Sequence, residues 1–494
     1  MNEKCGICGA WTKENAQALF YKMLVQMQHR GQLSAGITTF HPDAHLILKT
    51  HKDLGLVNHV FRAEHKGKFN SIMQNHSSGC GIGHVRYATS GCDDKDYAQP
   101  FERMHGKKIK WFSFCFNGNI ANYSDLKKNL VEDNYHLVHE TDTEIIQHFL
   151  AKALKKKEEV VSAFSDLAKH LDGAYSIGFV NAQGTLVAAR DPLGIRPLVY
   201  CIKGDDVFFA SESVALNSIG FNEFKDLAPG HLLIRDKNGT RVEKYAESKK
   251  RAHCFFEWIY FAHPASVIEG QLVYNVRNNL GKELAKLETQ KIDENCVVVP
   301  VPDSSTPAGE GFSDAIKVPL REGLIRNRYL GRTFIESSDR AQKVRDKFTV
   351  IRQLVEGKKV FLVEDSIVRG TTLKNLIEYI RKIGGPKEIH ARISCPPILW
   401  PCFYGIDMSS RKELIAAQCE NNACEGSSLE EKMVSCIAKE IGADSLIYQT
   451  MPGLIKAIGL NENDLCLACL NGNYPTPTGE KLKHYDEKGR ACGK

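Results

Sequence analysis

Residues 358–372 read Lys-Lys-Val-Phe-Leu-Val-Glu-Asp-Ser-Ile-Val-Arg-Gly-Thr-Thr. Val360 to Val363 are apolar without alternation, as a strand covered on both faces of a parallel sheet must be. Leu373, Leu376, Ile377, Ile380 and Ile383 then recur at one-face helical spacing, and Gly384-Gly385-Pro386 stops the helix. A strand that runs into two carboxylates and then a helix predicts an open α/β sheet, whose ligands meet the carboxyl ends of its strands. Glu364 and Asp365 stand at such an end. Adjacent carboxylates suit the hydroxyls of a ribose, directly or through a divalent cation, and the Gly370-Thr371-Thr372 backbone at a helix start suits a phosphate. A surface cap or a doubly acidic Rossmann-like turn would use the same two acids.

The same grammar recurs at 297–301 and 388–393, apolar runs separated by helical patterns. It begins after Glu247-Ser248-Lys249-Lys250-Arg251, a charged stretch that reads as a linker. Before it, an apolar stripe Leu19, Phe20, Met23, Leu24, Met27 has helical spacing and ends at Gly31. Short strand-like runs follow at 35–40, 45–49, 81–87, 111–116, 174–180, 185–189, 198–202 and 207–210. Many antiparallel strands with helices outside predict a layered α+β sandwich. Residues 471–494, polar and rich in Gly, Pro and Lys, predict a loosely ordered tail.

The 494 residues have room for such multiple domains, and 65 Lys plus Arg against 59 Asp plus Glu leave a net charge of only +6. That near-balance argues against a dedicated nucleic-acid binder, and no apolar run approaches the roughly 18 residues of a membrane span. Sixteen cysteines are too few for a disulfide scaffold of this length. With no apolar leader in Met1 to Lys4, the expected compartment is reducing, the cytoplasm. Eight of the sixteen cluster late: Cys395, Cys402, Cys419, Cys424, Cys436, Cys466, Cys469 and Cys492.

The chain opens with Cys5-Gly6-Ile7-Cys8-Gly9. A cysteine here can be an inert strand residue, but Gly6 would let a substrate carbon approach its sulfur. Were residues 1–4 removed as a propeptide, the freed α-amine, of ordinary pKa about 7.7–8.0, would serve as general base for the thiol on its own residue. Asn117-Gly118-Asn119, after an apolar run, offers an amide and a flexible backbone N–H for an oxyanion hole. Arg86 suits a substrate carboxylate and Asp142 an ammonium group, although Thr141-Asp142-Thr143-Glu144 is also a helix-capping pattern.

Cys5-Gly6-Ile7, His29-Arg30-Gly31-Gln32, Gly83-His84-Val85-Arg86-Tyr87, Asn117-Gly118-Asn119 and Arg190-Asp191-Pro192-Leu193-Gly194-Ile195-Arg196-Pro197 resemble the N-terminal-nucleophile glutamine amidotransferases. The resemblance implies hydrolysis of glutamine to glutamate and ammonia, with Cys5 as nucleophile, Asn117 and Gly118 as oxyanion hole, Arg86 on the glutamine carboxylate and Asp142 on its amino group. Ser211, Glu212 and Ser213 match a family stretch without an assigned role. The 358–372 run resembles the binding motif for 5-phosphoribosyl-1-pyrophosphate (PRPP) of type I phosphoribosyltransferases. That implies substrate contacts from Ser366, Gly370, Thr371 and Thr372, with Arg332, in Asn327 to Ile335, neutralising pyrophosphate. It also implies Mg2+ held by Ser305, Glu364 and Asp365.

The two in one chain resemble the amidophosphoribosyltransferase family: an N-terminal-nucleophile sandwich over 5–245, then an α/β type I phosphoribosyltransferase domain over 252–465 and a cysteine-bearing segment and tail over 466–494. The implied reaction passes ammonia internally to C1 of PRPP, giving 5-phosphoribosylamine, pyrophosphate and glutamate, the first step of de novo purine biosynthesis. Purine nucleotides are the implied feedback inhibitors and a homo-oligomer the implied assembly. Cys466-Leu467-Ala468-Cys469 alone permits zinc, iron–sulfur or a redox pair. With Cys254 and Cys402 it coincides with the four thiolates that hold a [4Fe-4S] cluster in one branch of the family, with a structural role. The remaining late cysteines are expected as buried thiols or bystanders.

Several positions depart from the family pattern: Phe116 replaces His, Glu364 replaces Asp, Leu33 replaces an acid, and His263 and Ala265 replace Arg and Asp. None removes a proposed catalytic group. Two other functions compete: a non-catalytic PRPP or nucleotide sensor retaining the fold, and a stand-alone glutaminase or other amide donor.

Overall fold

The structure, a computed structural model, describes residues 5–87, 94–156, 159–327, 340–421 and 429–487. The expected propeptide 1–4, Arg332, Cys424, Cys492 and residues 488–494 lie outside the described residues.

Two antiparallel sheets, of seven and six strands, form the N-terminal half. Gly6–Trp11 lies inside the first sheet, paired with Asp206–Ala210 on one side and Cys80–Arg86 on the other. Phe112–Ile120 and Gly173–Asn181 are inner strands of the second. Strand alternation sorts their side chains into layers. Ile7, Ile82, Cys115, Val180 and Phe209 meet between the sheets. Cys8, Ala10, Ile37 and Val85 face Phe20, Met23 and Leu24 of the helix Gln17–Gln26 on one outer side. Phe112, Phe114, Ile177 and Phe179 face Ile145, Leu150 and Phe164 on the other. This is the layered α+β sandwich that the alternating runs predict.

In the second half, Cys296–Pro300, Lys359–Glu364, Glu388–Ile393 and Ser445–Tyr448 form a parallel sheet in that order. Both its faces are buried: Val360 and Leu362 join one apolar cluster, Phe361 and Val363 another. That double burial is why the strand is uniformly apolar. The helices Val273–Ala285 and Thr306–Ile316 cross at glycines, where a Cβ on Gly281 or Gly311 would come within 1.9 Å of the Ala308 or Asn278 carbonyl oxygen.

Four expectations need correction. The run at 45–49 is a strand at Leu48–Leu54, placed by pairing with Ser34–Phe40 rather than by its own apolar residues. The run at 111–116 continues to Ile120, so Asn117-Gly118-Asn119 is paired strand opposite Ser176, Tyr175 and Ala174 rather than following the strand's end. The tail is not loose through 487: Pro477–Glu487 is a helix, and Tyr474 and Thr476 before it are buried, with Thr476 Oγ1 hydrogen-bonded to Tyr404. Cys419 and Cys436, expected as unlinked thiols, form a disulfide, because the helices Ile415–Asn421 and Leu429–Ile441 bring their Cα atoms to 5.8 Å. Cys395 is a buried free thiol, as expected. Among the described residues no helix is long and apolar enough to cross a membrane.

Candidate active sites

Cys5 immediately precedes the strand Gly6–Trp11, and the Gly6–Val85 pairing places Arg86 of the adjacent strand across from it. One pocket is lined by Cys5, Arg86, Tyr87, Gly118, Asn119 and Asp142, with Thr141, Thr143, Tyr97 and Gln99 completing its polar wall. Four of the five residues predicted for glutamine chemistry therefore share one cavity. The fifth, Asn117, is 2% exposed, and its Nδ2 is a buried donor with no hydrogen-bond partner among the described residues. Leaving such a donor unpaired costs about 1–3 kcal/mol, a cost that an incoming oxyanion would remove. Gly118 admits no side chain: a Cβ there would come within 1.9 Å of the Ala174 carbonyl oxygen.

Asp142 has both features weighed in the sequence. It opens the helix Asp142–Lys156, with Thr141 Oγ1 accepting from the Glu144 N–H and the Glu144 carboxylate accepting from three preceding N–H groups. Its own carboxylate faces the pocket and accepts from the Ile120 N–H at 2.9 Å. Burial pushes the Asp142 carboxyl up to about 6, and the Ile120 N–H only partly opposes that. At Phe116 the backbone makes the polar contacts: its N–H donates to Gln99 Oε1 at 2.7 Å and its carbonyl meets His84 Nε2 at 3.1 Å.

Beneath this pocket lies a buried ionic network that the sequence reading did not assign. Arg30 donates to Cys5 O through Nε at 2.9 Å, to Glu212 Oε1 at 2.6 Å and to both carboxylate oxygens of Glu257 at 2.9 Å. Arg196 donates to Glu257 Oε1 at 3.2 Å. Burial alone would raise the Glu212 carboxyl, but His29 and Arg30 override it and hold it well below the usual carboxylate range. Glu212 also accepts from the His263 N–H and the Ser266 hydroxyl, so the substituted position 263 still contributes through its backbone. Arg30, Arg196 and Glu212 lie in motifs whose family match is visible, yet nothing in sequence spacing reveals that they meet Glu257.

At the second centre Glu364 ends its strand, and Asp365 is held by Ser304 Oγ at 2.6 Å and Ser366 Oγ at 2.7 Å. Ser305 Oγ donates to Glu364 at 3.3 Å. Burial, and then the neighbouring Asp365 charge, raise the Glu364 carboxyl well above its usual range. Ser304, to which the sequence motif assigns no role, is thus a direct partner of Asp365. Gly370 adopts φ +73°, and a Cβ there would meet Ile415 Cδ1 at 2.4 Å, so the turn into the helix Thr371–Tyr379 requires glycine. Thr371 and Thr372 open that helix.

Cys254, Cys402, Cys466 and Cys469 line a second, mostly apolar cavity with Phe256, Tyr404, Ile406 and Tyr474. Cys254, Cys466 and Cys469 are buried thiols outside any disulfide, and Cys254 and Cys466 are register partners in a two-stranded parallel pairing. Burial pushes the Cys466 thiol up to about 12 and those of Cys254 and Cys469 up as well. Among the described residues no group of three or more His, Cys, Asp or Glu side chains is arranged to hold a single metal ion.

Comparison with known proteins matches both halves. A glutamine amidotransferase domain model matches residues 84–218, and a phosphoribosyl transferase domain model matches residues 274–397. An amidophosphoribosyltransferase of Methanothermobacter thermautotrophicus is 40% identical, covering 100% of this chain and 99% of its own. One from Bacillus subtilis is 37% identical over 96% of this chain and 95% of its own. The solved glutamine PRPP amidotransferase of B. subtilis, complexed with ADP and GMP, superposes with a TM-score of 0.82 at 36% identity, over 96% of this chain and 98% of that one. With both domains matched and relatives this similar aligned along their full length, the chain belongs to the amidophosphoribosyltransferase family.

Proposed function

We propose that this chain hydrolyses glutamine at Cys5 and delivers the ammonia to C1 of PRPP at the Glu364-Asp365 centre, releasing pyrophosphate. The observation that carries this reading is the single pocket shared by Cys5, Arg86, Gly118 and Asp142 beside the unpaired Asn117 amide. Removal of residues 1–4 would free the Cys5 α-amine, which takes the thiol proton as sulfur attacks the glutamine amide carbon. The oxyanion then meets Asn117 Nδ2 and the Gly118 N–H, while Arg86 holds the substrate carboxylate and Asp142 its ammonium. The amine returns its proton to the leaving nitrogen, ammonia departs, and water releases glutamate from the thioester. Enclosed transfer is advantageous because ammonia in neutral water is mostly protonated and no longer nucleophilic.

At the second centre the Glu364 and Asp365 carboxylates would bind the ribose hydroxyls, and Ser366, Gly370, Thr371 and Thr372 the 5-phosphate at the helix start. Arg332 is assigned to the pyrophosphate by family resemblance alone. Two carboxylates with serine hydroxyls are hard oxygen donors, which fit Mg2+ completed by substrate phosphates and water. Ser305, Glu364 and Asp365 would hold it, and it would neutralise charge on the leaving pyrophosphate. Three buried thiols and the half-buried Cys402, lining one cavity, likewise fit a [4Fe-4S] cluster, whose iron charge would favour the thiolates that burial disfavours. Cys254, Cys402, Cys466 and Cys469 would hold it in a structural role. By analogy with the nucleotide-bound relative, purine nucleotides are proposed as feedback inhibitors.

The direct test mixes purified protein with glutamine, PRPP and magnesium. Pyrophosphate and glutamate together support the reading; glutamate without pyrophosphate would replace it with a stand-alone glutaminase, and neither product with a sensor. Anaerobically prepared protein should be brown and contain about four irons per chain, and Cys466→Ser should lose the visible absorbance; colourless, iron-free wild-type protein would remove the cluster.

The Asp142 carboxyl also predicts a pH dependence. Because its ionisation lies raised at about 6, the anion that binds the substrate ammonium is lost as pH falls through that value. The KM for glutamine should rise roughly tenfold per pH unit below it and be flat above. Asp142→Asn should have a raised KM without that dependence, which steady-state assays between pH 5 and 8 would check.

A further inference from the structure

Resting on the proposed role of Cys5, we infer that the segment Phe403-Tyr404-Gly405 of the second domain positions the glutamine-hydrolysing centre, through Asn119 on one side and an Arg196–Glu257–Arg30 relay on the other. Three successive backbone carbonyls make the connection. Asn119 Nδ2 donates to Phe403 O at 2.8 Å, and Arg196 Nη2 donates to Tyr404 O at 3.0 Å and Gly405 O at 2.8 Å.

Each route ends at a different part of the catalytic pocket. Asn119 follows Gly118 in the strand and lines the pocket itself, so its anchor restrains the backbone that carries the oxyanion donor. Arg196 reaches Glu257, whose two oxygens grip Arg30, and Arg30 Nε holds the Cys5 carbonyl. That carbonyl is bonded to the atom bearing both the thiol side chain and the amine, so fixing it fixes nucleophile and base together. Arg30, Arg196 and Glu257 are all buried, and the relay therefore acts without competition from solvent water. A bidentate guanidinium–carboxylate pair also sets direction as well as distance, which a single hydrogen bond does not.

The arrangement makes Asn119, Arg196, Glu257 and Arg30 positioning residues: none is placed to exchange a proton with substrate. It also makes the geometry of the glutaminase centre dependent on where the second domain holds residues 403–405. A shift of that segment would move the nucleophile and the oxyanion donor at once.

The test compares glutamine-fed with ammonia-fed pyrophosphate release, since free ammonia bypasses Cys5. Arg196→Lys and Glu257→Asp each keep a charge but lose the planar or in-reach geometry, and Asn119→Asp exchanges the donor for a charged acceptor that repels the Phe403 carbonyl. Each should lower kcat with glutamine about tenfold or more, with ammonia-fed activity within twofold of wild type. KM for glutamine should change less than kcat in Arg196→Lys and Glu257→Asp, which do not line the glutamine pocket. Parallel loss of both activities would show a merely structural network and overturn the inference, as would unchanged glutamine kcat in all three variants. Asn119→Asp, on a half-exposed side chain, keeps the test available should the buried variants fail to fold. Failure of the underlying reading is separable, because it would appear as glutamine-fed activity surviving in Cys5→Ser.

Discussion

Replacing Cys5 with serine should abolish glutamine-fed pyrophosphate release, by at least about 10³-fold, and leave ammonia-fed release within twofold of wild type. The size follows from the chemistry of one atom. A hydroxyl on the same carbon is far less acidic and less nucleophilic than a thiol, so in a site shaped around sulfur the same α-amine activates it far less. The pocket should survive, because the exchange is nearly isosteric and Cys5 lies at the start of a strand held by pairing on both sides. Glutamine should still bind through Arg86 and Asp142, so the variant is expected to be competitively occupied rather than empty. Measuring pyrophosphate with each nitrogen donor, and glutamine affinity by calorimetry, would check both halves. Retained glutamine-fed turnover would refute the nucleophile assignment.

The converse result is expected at the other centre. Asp365→Asn should lower both glutamine-fed and ammonia-fed amination by about 10²–10³-fold while glutamine hydrolysis without PRPP persists. Charge-assisted hydrogen bonds are worth about 1.5–3 kcal/mol each, and a ribose with its cation would take at least two from this carboxylate. The Ser304 and Ser366 hydroxyls that now donate to Asp365 would remain to orient the amide, so folding should be little disturbed. Removing the Asp365 charge should also relieve the repulsion that helps hold the Glu364 carboxyl above its usual range, moving its ionisation down. Equal loss of PRPP-independent glutaminase activity would contradict the division of labour between the two centres.

Local pattern and tertiary contact contributed differently to what could be read in advance. The Lys359–Glu364 strand, its acid pair and the following helix were legible because strand, turn and helix signals all lie within some twenty-five residues. The amide-glycine motif proposed for the oxyanion was legible in identity but not in setting. Asn117-Gly118-Asn119 has the composition of a turn, and only its pairing with Gly173–Asn181 keeps it extended. The C-terminal helix was missed for a related reason: Thr476, Gly479 and Tyr474 are poor or neutral helix and core signals until they pack on Tyr404. The Cys419–Cys436 disulfide depends on how two helices lie side by side, which no spacing rule conveys.

The order of residues by itself determined which chemistries the chain could hold: a cysteine with a glycine beside it, an amide-glycine pair, an arginine, and two acids at a strand end. Those are local facts, carried by residue type and by periodicities of two and 3.6. What the tertiary structure alone decided is which of these groups come together. Cys5, Arg86, Gly118 and Asp142 come from four separate stretches of the chain to line one pocket, and four cysteines spread from 254 to 469 line another cavity. Arg30 and Glu257, 227 residues apart, meet because burying a charge is tolerable only against its opposite, and that requirement is satisfied by the folded chain as a whole rather than by any segment of it.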